Sequence, residues 1–140
     1  MGRVLGVDLG SRRIGLAVSD PGGRVATPHS VIERSGDAAA DHRTILAHAR
    51  EAGASRVVVG LPLSLSGKAG PAAKAVLGEV DALRALAGGE ITVETHDERL
   101  TTVIAQRGLQ AANAPRRARR QAVDAAAAAV MLQSYLEASS

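Results

Sequence analysis

An aspartate stands in the middle of a segment that otherwise alternates like a buried strand, Val4-Leu5-Gly6-Val7-Asp8-Leu9. By the two-residue period of an extended chain, Asp8 shares one face with Val4, Gly6 and Gly10, while Leu5, Val7 and Leu9 take the other. An ionised carboxylate inside a central strand is costly unless it is paired or bound to a cation. A fold for this chain must therefore leave space beside Asp8, and the glycines on its face provide it. The alternative is a structural aspartate bonded to backbone N–H groups.

The segments around Asp8 are short and well punctuated. Ile14 to Asp20 follows the polar turn Gly10-Ser11-Arg12-Arg13 as the second arm of a hairpin. Asp20-Pro21-Gly22-Gly23 leads into a third strand, Arg24 to Glu33, where Pro28 predicts an edge or a bulge. Ser35-Gly36-Asp37 introduces a helix over Ala38 to Ala52, with an apolar stripe of Ile45, Leu46 and Ala49 and a stop at Gly53. The continuous apolar run Arg56 to Gly60 marks a strand covered on both faces, hence parallel pairing. A loop from Leu61 to Pro71 precedes a second helix over Ala72 to Leu86, and Gly88-Gly89 breaks the chain before a strand at Ile91 to Thr95. Leu100 to Ala111 predicts a third helix, ended by Asn113-Ala114-Pro115, and Gln121 to Glu137 a final one.

The order is β-β-β-α-β-α-β-α-α. It describes an α/β domain with a mixed five-stranded sheet, three antiparallel strands followed by two parallel ones, flanked by helices. A chain of 140 residues supports one such domain, 1–140, and not two. Tyr135 is its only aromatic residue, so packing relies on Val, Leu, Ile and Ala. Cysteine is absent, which excludes disulfides and thiolate metal sites and fits a reducing compartment. No signal-peptide pattern opens the chain. The longest near-apolar window, Ala122 to Leu132, is far shorter than the roughly 20 residues of a membrane span. The expectation is a cytoplasmic protein with no membrane contact.

That apolar window contains one charge, Asp124, and a helix apolar nearly all round is a buried one. One and more turns along lie Ala128, Met131, Leu132 and Tyr135, so Asp124 lies along the face that should meet the sheet. A second account puts Asp124 in the first turn of a helix beginning near Gln121, where negative charge is favoured. Glu98 and Asp97 close the last strand at its C-terminal end, the usual side for ligands in open α/β sheets. If the first and last long strands lie side by side, Asp8, Glu98 and Asp124 meet in one cleft. Three such carboxylates repel unless divalent cations neutralise them, and hard oxygen donors select Mg2+ or Mn2+. Two ions about 4 Å apart would activate water and stabilise the leaving oxygen in phosphodiester hydrolysis.

The net charge is only +3, but Arg116, Arg117, Arg119 and Arg120 are crowded together, with Arg99 and Arg107 upstream. Such a cluster suits a polyanion, and it is equally compatible with a solvated basic loop.

Four blocks, GVDLGSRRIGLAVSD (6–20), VVVGLPLSLSG (57–67), DERLTT (97–102) and VDAAAAAVMLQSYL (123–136), occur in an order that resembles the YqgF/RuvX family over nearly the whole chain. The resemblance implies a ribonuclease-H-like fold and a nuclease that matures the 5′ end of pre-16S ribosomal RNA, with branched DNA at Holliday junctions as the alternative substrate. It assigns the family's acidic residues to Asp8, Glu98 and Asp124, with Asp97 a rival for the middle position. The basic stretch before the last helix often carries Lys in that family and is all Arg here, which preserves the charge and permits bidentate phosphate contact.

Other features carry less. Gly60 to Lys68 does not fit the phosphate-loop pattern, because Gly67-Lys68 is followed by Ala69 and Gly60 lies too far upstream. The loop reads as a flap beside the cleft, with Lys68 near phosphate, or as an ordinary connection. Arg12 and Arg13 could steer a nucleic-acid backbone toward Asp8, although an exposed turn needs no such reason. His29, His42, His48 and His96 share no metal-ligand spacing, and His96, nearest the proposed centre, reads better as a bystander than as a proton shuttle. Two rivals remain, a non-catalytic nucleic-acid-binding ribosome-assembly factor and a sugar-kinase or actin-like ATPase. The latter needs two lobes where this length provides one. Oligomeric state, a homodimer included, is left open by the sequence.

Overall fold

The computed structural model describes residues 2–64, 66–100 and 116–139, the side chains of 100 and 116–122 excepted. Strands β1 (Arg3–Leu9), β2 (Arg13–Ser19) and β3 (Ala26–Glu33) are followed by helix α1 (Ala38–Glu51), strand β4 (Ala54–Leu61), helix α2 (Pro71–Ala87), strand β5 (Thr92–Asp97), a 3-10 turn (Glu98–Leu100) and helix α3 (Arg116–Ser139). The helix expected over 100–111 lies outside the described residues.

The five strands form one sheet in the order β3-β2-β1-β4-β5, antiparallel between β3, β2 and β1 and parallel between β1, β4 and β5. The mixed sheet is as expected. The adjacency of first and last strands is not: β4 lies between β1 and β5. The apolar run of β4 explains this, since a strand buried on both faces belongs in the interior of a sheet. Val57 and Val59 face one side and Val58 the other, all fully buried.

Each turn follows from its residues. Asp37 caps α1, its side chain accepting from the Ala40 N–H, and Gly53 takes the left-handed conformation (φ 69°) that ends it. Pro71 opens α2, where its missing N–H costs nothing, and Gly88 (φ 59°) closes it. Pro28 sits on the edge strand, and the β2–β3 register slips beside it: Leu16 faces Ser30 while Ala17 faces Pro28, so His29 is the extra residue of a bulge.

Two apolar cores lie on opposite faces of the sheet. Leu5, Val7, Ile14, Leu16, Val57, Val59 and Val93 pack against Ile45, Leu46 and Ala49 of α1 and Val76, Val80 and Leu83 of α2. On the other face Val4, Ala17 and Val58 pack against Ala127, Ala128, Met131, Leu132, Tyr135 and Leu136 of α3. Gly6 belongs to this second face, where a β-carbon would stand 2.8 Å from Leu132 Cβ. The shortage of large side chains therefore brings α3 close to the sheet. α3 is buried around most of a turn at Ala125 to Ala128 and along its sheet-facing side beyond, with Ala129 and Val130 partly buried. Among the described residues no helix is long and apolar enough to cross a membrane.

Candidate active site

Asp8 lies on the α3 face of β1, as the alternation predicts, and is 7% exposed. Its neighbours across the sheet are both glycines. Gly15 of β2 is its direct partner. On β4, Val59 is in register with Val7, so the next residue, Gly60, stands beside Asp8. Neither glycine has positive φ, so what they provide is space.

That space is filled from both sides. A β-carbon on Gly15 would overlap the main-chain carbonyl oxygen of Asp124, so α3 crosses β2 in backbone contact beside Asp8. A β-carbon on Gly60 would overlap the carboxylate of Glu98 and lie 2.9 Å from its Cδ. Glu98 thus folds back from the end of β5 over β4 toward Asp8, and its Oε1 is buried. Strands are about 4.8 Å apart, so the two glycines bring Glu98 and Asp124 to either flank of Asp8 although β1 and β5 do not touch.

Asp124 is not in the first turn of its helix. α3 begins at Arg116, five residues earlier than expected, which removes the capping account and leaves the sheet-facing one. Its carboxylate is held by Arg13, whose Nε donates to Oδ2 at 2.7 Å. Among the described residues no group of three His, Asp or Glu side chains is placed so that it could hold a metal ion; one Asp124 oxygen is engaged by Arg13 instead.

Asp97, the last residue of β5, and Glu98, the first of the 3-10 turn, have different surroundings. Asp97 pairs with Leu61, which packs with the α1–α2 core, and its carboxylate accepts from Arg99 N, Nε and Nη2 at 2.6–3.1 Å. The Arg99 guanidinium holds the Asp97 carboxyl below the usual range, against an opposing push from burial. A β-carbon on Gly67 would lie 3.3 Å from Arg99 Nη1, so the loop after β4 closes against this pair. Lys68 is exposed there, and a short turn is made by Ser64 N donating to Lys68 O and Lys68 N to Ser64 Oγ.

His96 donates to or accepts from Ser134 Oγ at 2.9 Å and meets Tyr135 edge-on. Burial pushes its pKa down, with Asp97 opposing. It fastens β5 to α3, consistent with a bystander. Arg12 is exposed in the hairpin turn. Arg116, Arg117, Arg119 and Arg120 begin α3, but their side chains, like all of Arg107, lie outside the described residues.

Three features of the site escaped the sequence reading. Gly15 and Gly60 were visible as small residues inside strands, a sign of close approach, yet nothing local said what approaches. The Arg13–Asp124 pair has no local signal at all. The third is a buckle behind the Asp8 hairpin, in which Arg34 Nε donates to Gly10 O at 2.9 Å and its Nη1 and Nη2 to Glu79 of α2 at 2.7 and 2.9 Å. His42 of α1 adds a 2.8 Å bond to the same carboxylate.

Comparison with known proteins agrees with this architecture. A family model described as "RuvX: Holliday junction resolvase" matches residues 2–138. A protein of Kineococcus radiotolerans is 46% identical over 134 residues, spanning 96% of this chain and 71% of that one. One of Desulforudis audaxviator is 43% identical over 134 residues, spanning 96% and 93%. Both bear the name "Putative pre-16S rRNA nuclease". Among solved structures, Thermus thermophilus RuvC in complex with a Holliday junction substrate matches with a TM-score of 0.56 at 19% identity, covering 99% of this chain and 96% of that one. At that identity the likeness speaks for the fold alone, which is ribonuclease-H-like.

Proposed function

The chain belongs to the RuvX family, described as Holliday junction resolvase, and on that premise we propose that it is a divalent-cation-dependent nuclease that hydrolyses phosphodiester bonds of structured RNA. The substrate we infer is pre-16S ribosomal RNA at its 5′ end, which implies a cytoplasmic enzyme. Relatives at 43–46% identity carry that substrate in their names, whereas the likeness to a junction-bound protein is at 19%.

The observation that carries the reading is the pair of glycines flanking Asp8. Gly15 admits the backbone of Asp124 and Gly60 admits the carboxylate of Glu98, which brings two further acidic residues to the strands on either side of Asp8. Glu98 is preferred to Asp97, whose carboxylate is engaged by Arg99. The donor set fits a hard cation: all three are carboxylates, with no thiolate or imidazole among them, which selects Mg2+ or Mn2+. The Gly60 cradle, which a β-carbon would fill, is the structural counterpart of that fit.

Asp8, Glu98 and Asp124 would hold such cations, whose chemistry when bound would be to activate a water and to stabilise the leaving oxygen. The chain's own residues do the rest. The strands fix Asp8 within the sheet, α3 covers its face, and phosphate contact is assigned to Arg12, Lys68 and Arg99. Arg116, Arg117, Arg119 and Arg120 add four basic residues at the start of α3. Phosphate contacts of this kind orient a nucleic acid without reading its bases.

The test is cleavage of a pre-16S-like RNA and of a four-way DNA junction, with Mg2+ or Mn2+ and with EDTA. We expect cation-dependent cleavage of the RNA, abolished in Asp8→Asn with binding retained. Equal cleavage by wild type and Asp8→Asn would remove the catalytic reading. Cleavage of the junction alone would move the substrate to DNA.

A further inference from the structure

Arg13 begins β2 on the same face as Gly15, two residues away. Its cross-strand neighbour on β3 is Glu33, yet its Nε is given to Asp124, 111 positions along the chain, at 2.7 Å. The two side chains are 21% and 18% exposed, so the contact is shielded from water and stronger than a surface pair. A guanidinium has been brought to the edge of a cluster that otherwise gathers carboxylates around Asp8.

We infer that Arg13 is the built-in counter-ion of Asp124: it holds that carboxylate over the sheet before a cation binds, and it competes with the cation for it. The inference rests on the cation-binding reading of Asp8, Glu98 and Asp124 given above. Its physical basis is that a carboxylate has limited charge to share. A guanidinium at 2.7 Å partly neutralises Asp124, lowering its value as a donor to Mg2+ or Mn2+, and it repels a dication arriving nearby. Without that guanidinium the carboxylates would repel one another, and the Asp124 side chain would lose the contact that fixes its direction. Arg13 therefore favours assembly of the site and opposes its loading. Two ligands of one group are linked, so removing one strengthens the other.

The test uses the full chain, stripped with EDTA and titrated with Mn2+ followed by electron paramagnetic resonance or calorimetry, as wild type, Arg13→Gln, Arg13→Lys and Asp8→Asn. Arg13→Gln should bind Mn2+ about fivefold or more tightly than wild type, at the low end of typical coupling between linked sites. Arg13→Lys, which retains the charge, should stay close to wild type. In EDTA, Arg13→Gln should melt below wild type, and saturating Mn2+ should narrow the difference. Should Arg13→Gln fail to fold, the Arg13 Nε–H resonance of the wild type gives the same answer, since it should shift as Mg2+ is added and stop at saturation.

Unchanged or weaker Mn2+ binding by Arg13→Gln, or an Nε–H signal indifferent to Mg2+, overturns the inference while leaving the cation site intact, provided wild type binds better than Asp8→Asn. If wild type and Asp8→Asn bind equally poorly, the cation reading fails and the inference falls with it.

Discussion

Gly15 lies against the main-chain carbonyl of Asp124 so closely that a β-carbon has no place between them. The contact joins β2 to α3 backbone to backbone, and it sets how far Asp124 stands from Asp8, the direct strand partner of Gly15. Gly15→Ala must displace the helix, since neither carbonyl nor strand can turn aside as a side chain can. Overpacking of this kind costs about 1–3 kcal/mol. Denaturant unfolding should show that loss, and cleavage should fall further than stability because the displaced element carries Asp124.

Gly60→Ala should separate the two quantities. The atoms in the way belong to the flexible end of Glu98, which can move without disturbing the sheet. We expect a melting temperature near that of wild type, with weaker Mn2+ binding and cleavage reduced by roughly 100-fold, the scale on which a misplaced group acts. A variant that melts normally and cleaves normally would show that the position of Glu98 is immaterial.

The buckle of Arg34, Glu79 and His42 predicts an acid-labile contribution to stability. Burial pushes the Glu79 carboxyl up, but the bonds from Arg34 and His42 outweigh it and hold its pKa below the ordinary 4.5. A carboxyl depressed on folding stabilises the protein above its unfolded pKa, and this contribution is lost as pH falls through the folded one. Glu79→Gln should therefore lose stability at pH 7 and flatten the acid limb of the stability curve below about 4.5. Arg34→Ala, which strands both Glu79 and the Gly10 carbonyl, should cost roughly 2 kcal/mol at neutral pH.

His29 and His48 predict a second pH effect in a different window. The bulge in β3 carries His29 to α1, where its Nε2 lies 3.3 Å from His48 Nδ1 with the rings edge-to-face. Burial and then the neighbouring His48 push the His29 pKa below its usual 6.5, against a smaller pull from Glu51. The neutral form is thus favoured by folding. The associated stability is complete above about 6.5 and is lost as pH falls from there through the folded value. NMR titration should place His29 below 6.5 in the wild type and closer to it in His48→Gln. An unchanged value in that variant would assign the shift to burial alone.

The division between sequence and structure follows from the range of the forces involved. Alternation, helix periodicity, caps and breakers act within a few residues, so the strands, the two described central helices and the antiparallel-then-parallel order were legible in the chain, within one to three residues at most ends. The late start assigned to α3 was the larger miss, because four arginines look like loop while helix propensity favours them. The misplaced charges were legible too: Asp8 inside an alternating strand and Asp124 inside an apolar helix announce a purpose without a partner.

Tertiary structure alone decided where those partners stand. Strand order is fixed by which surfaces can be buried together, and it put β4 between β1 and β5, so Glu98 reaches toward Asp8 only across a residue without a side chain. The landing of α3 on β2 made Gly15 necessary and gave Asp124 to Arg13, a contact spanning 111 positions. Such contacts depend on register and on the closest approach of elements built independently, and a linear pattern holds no record of that distance. Sequence thus determined which residues had to be reconciled with burial, and the packed sheet decided how.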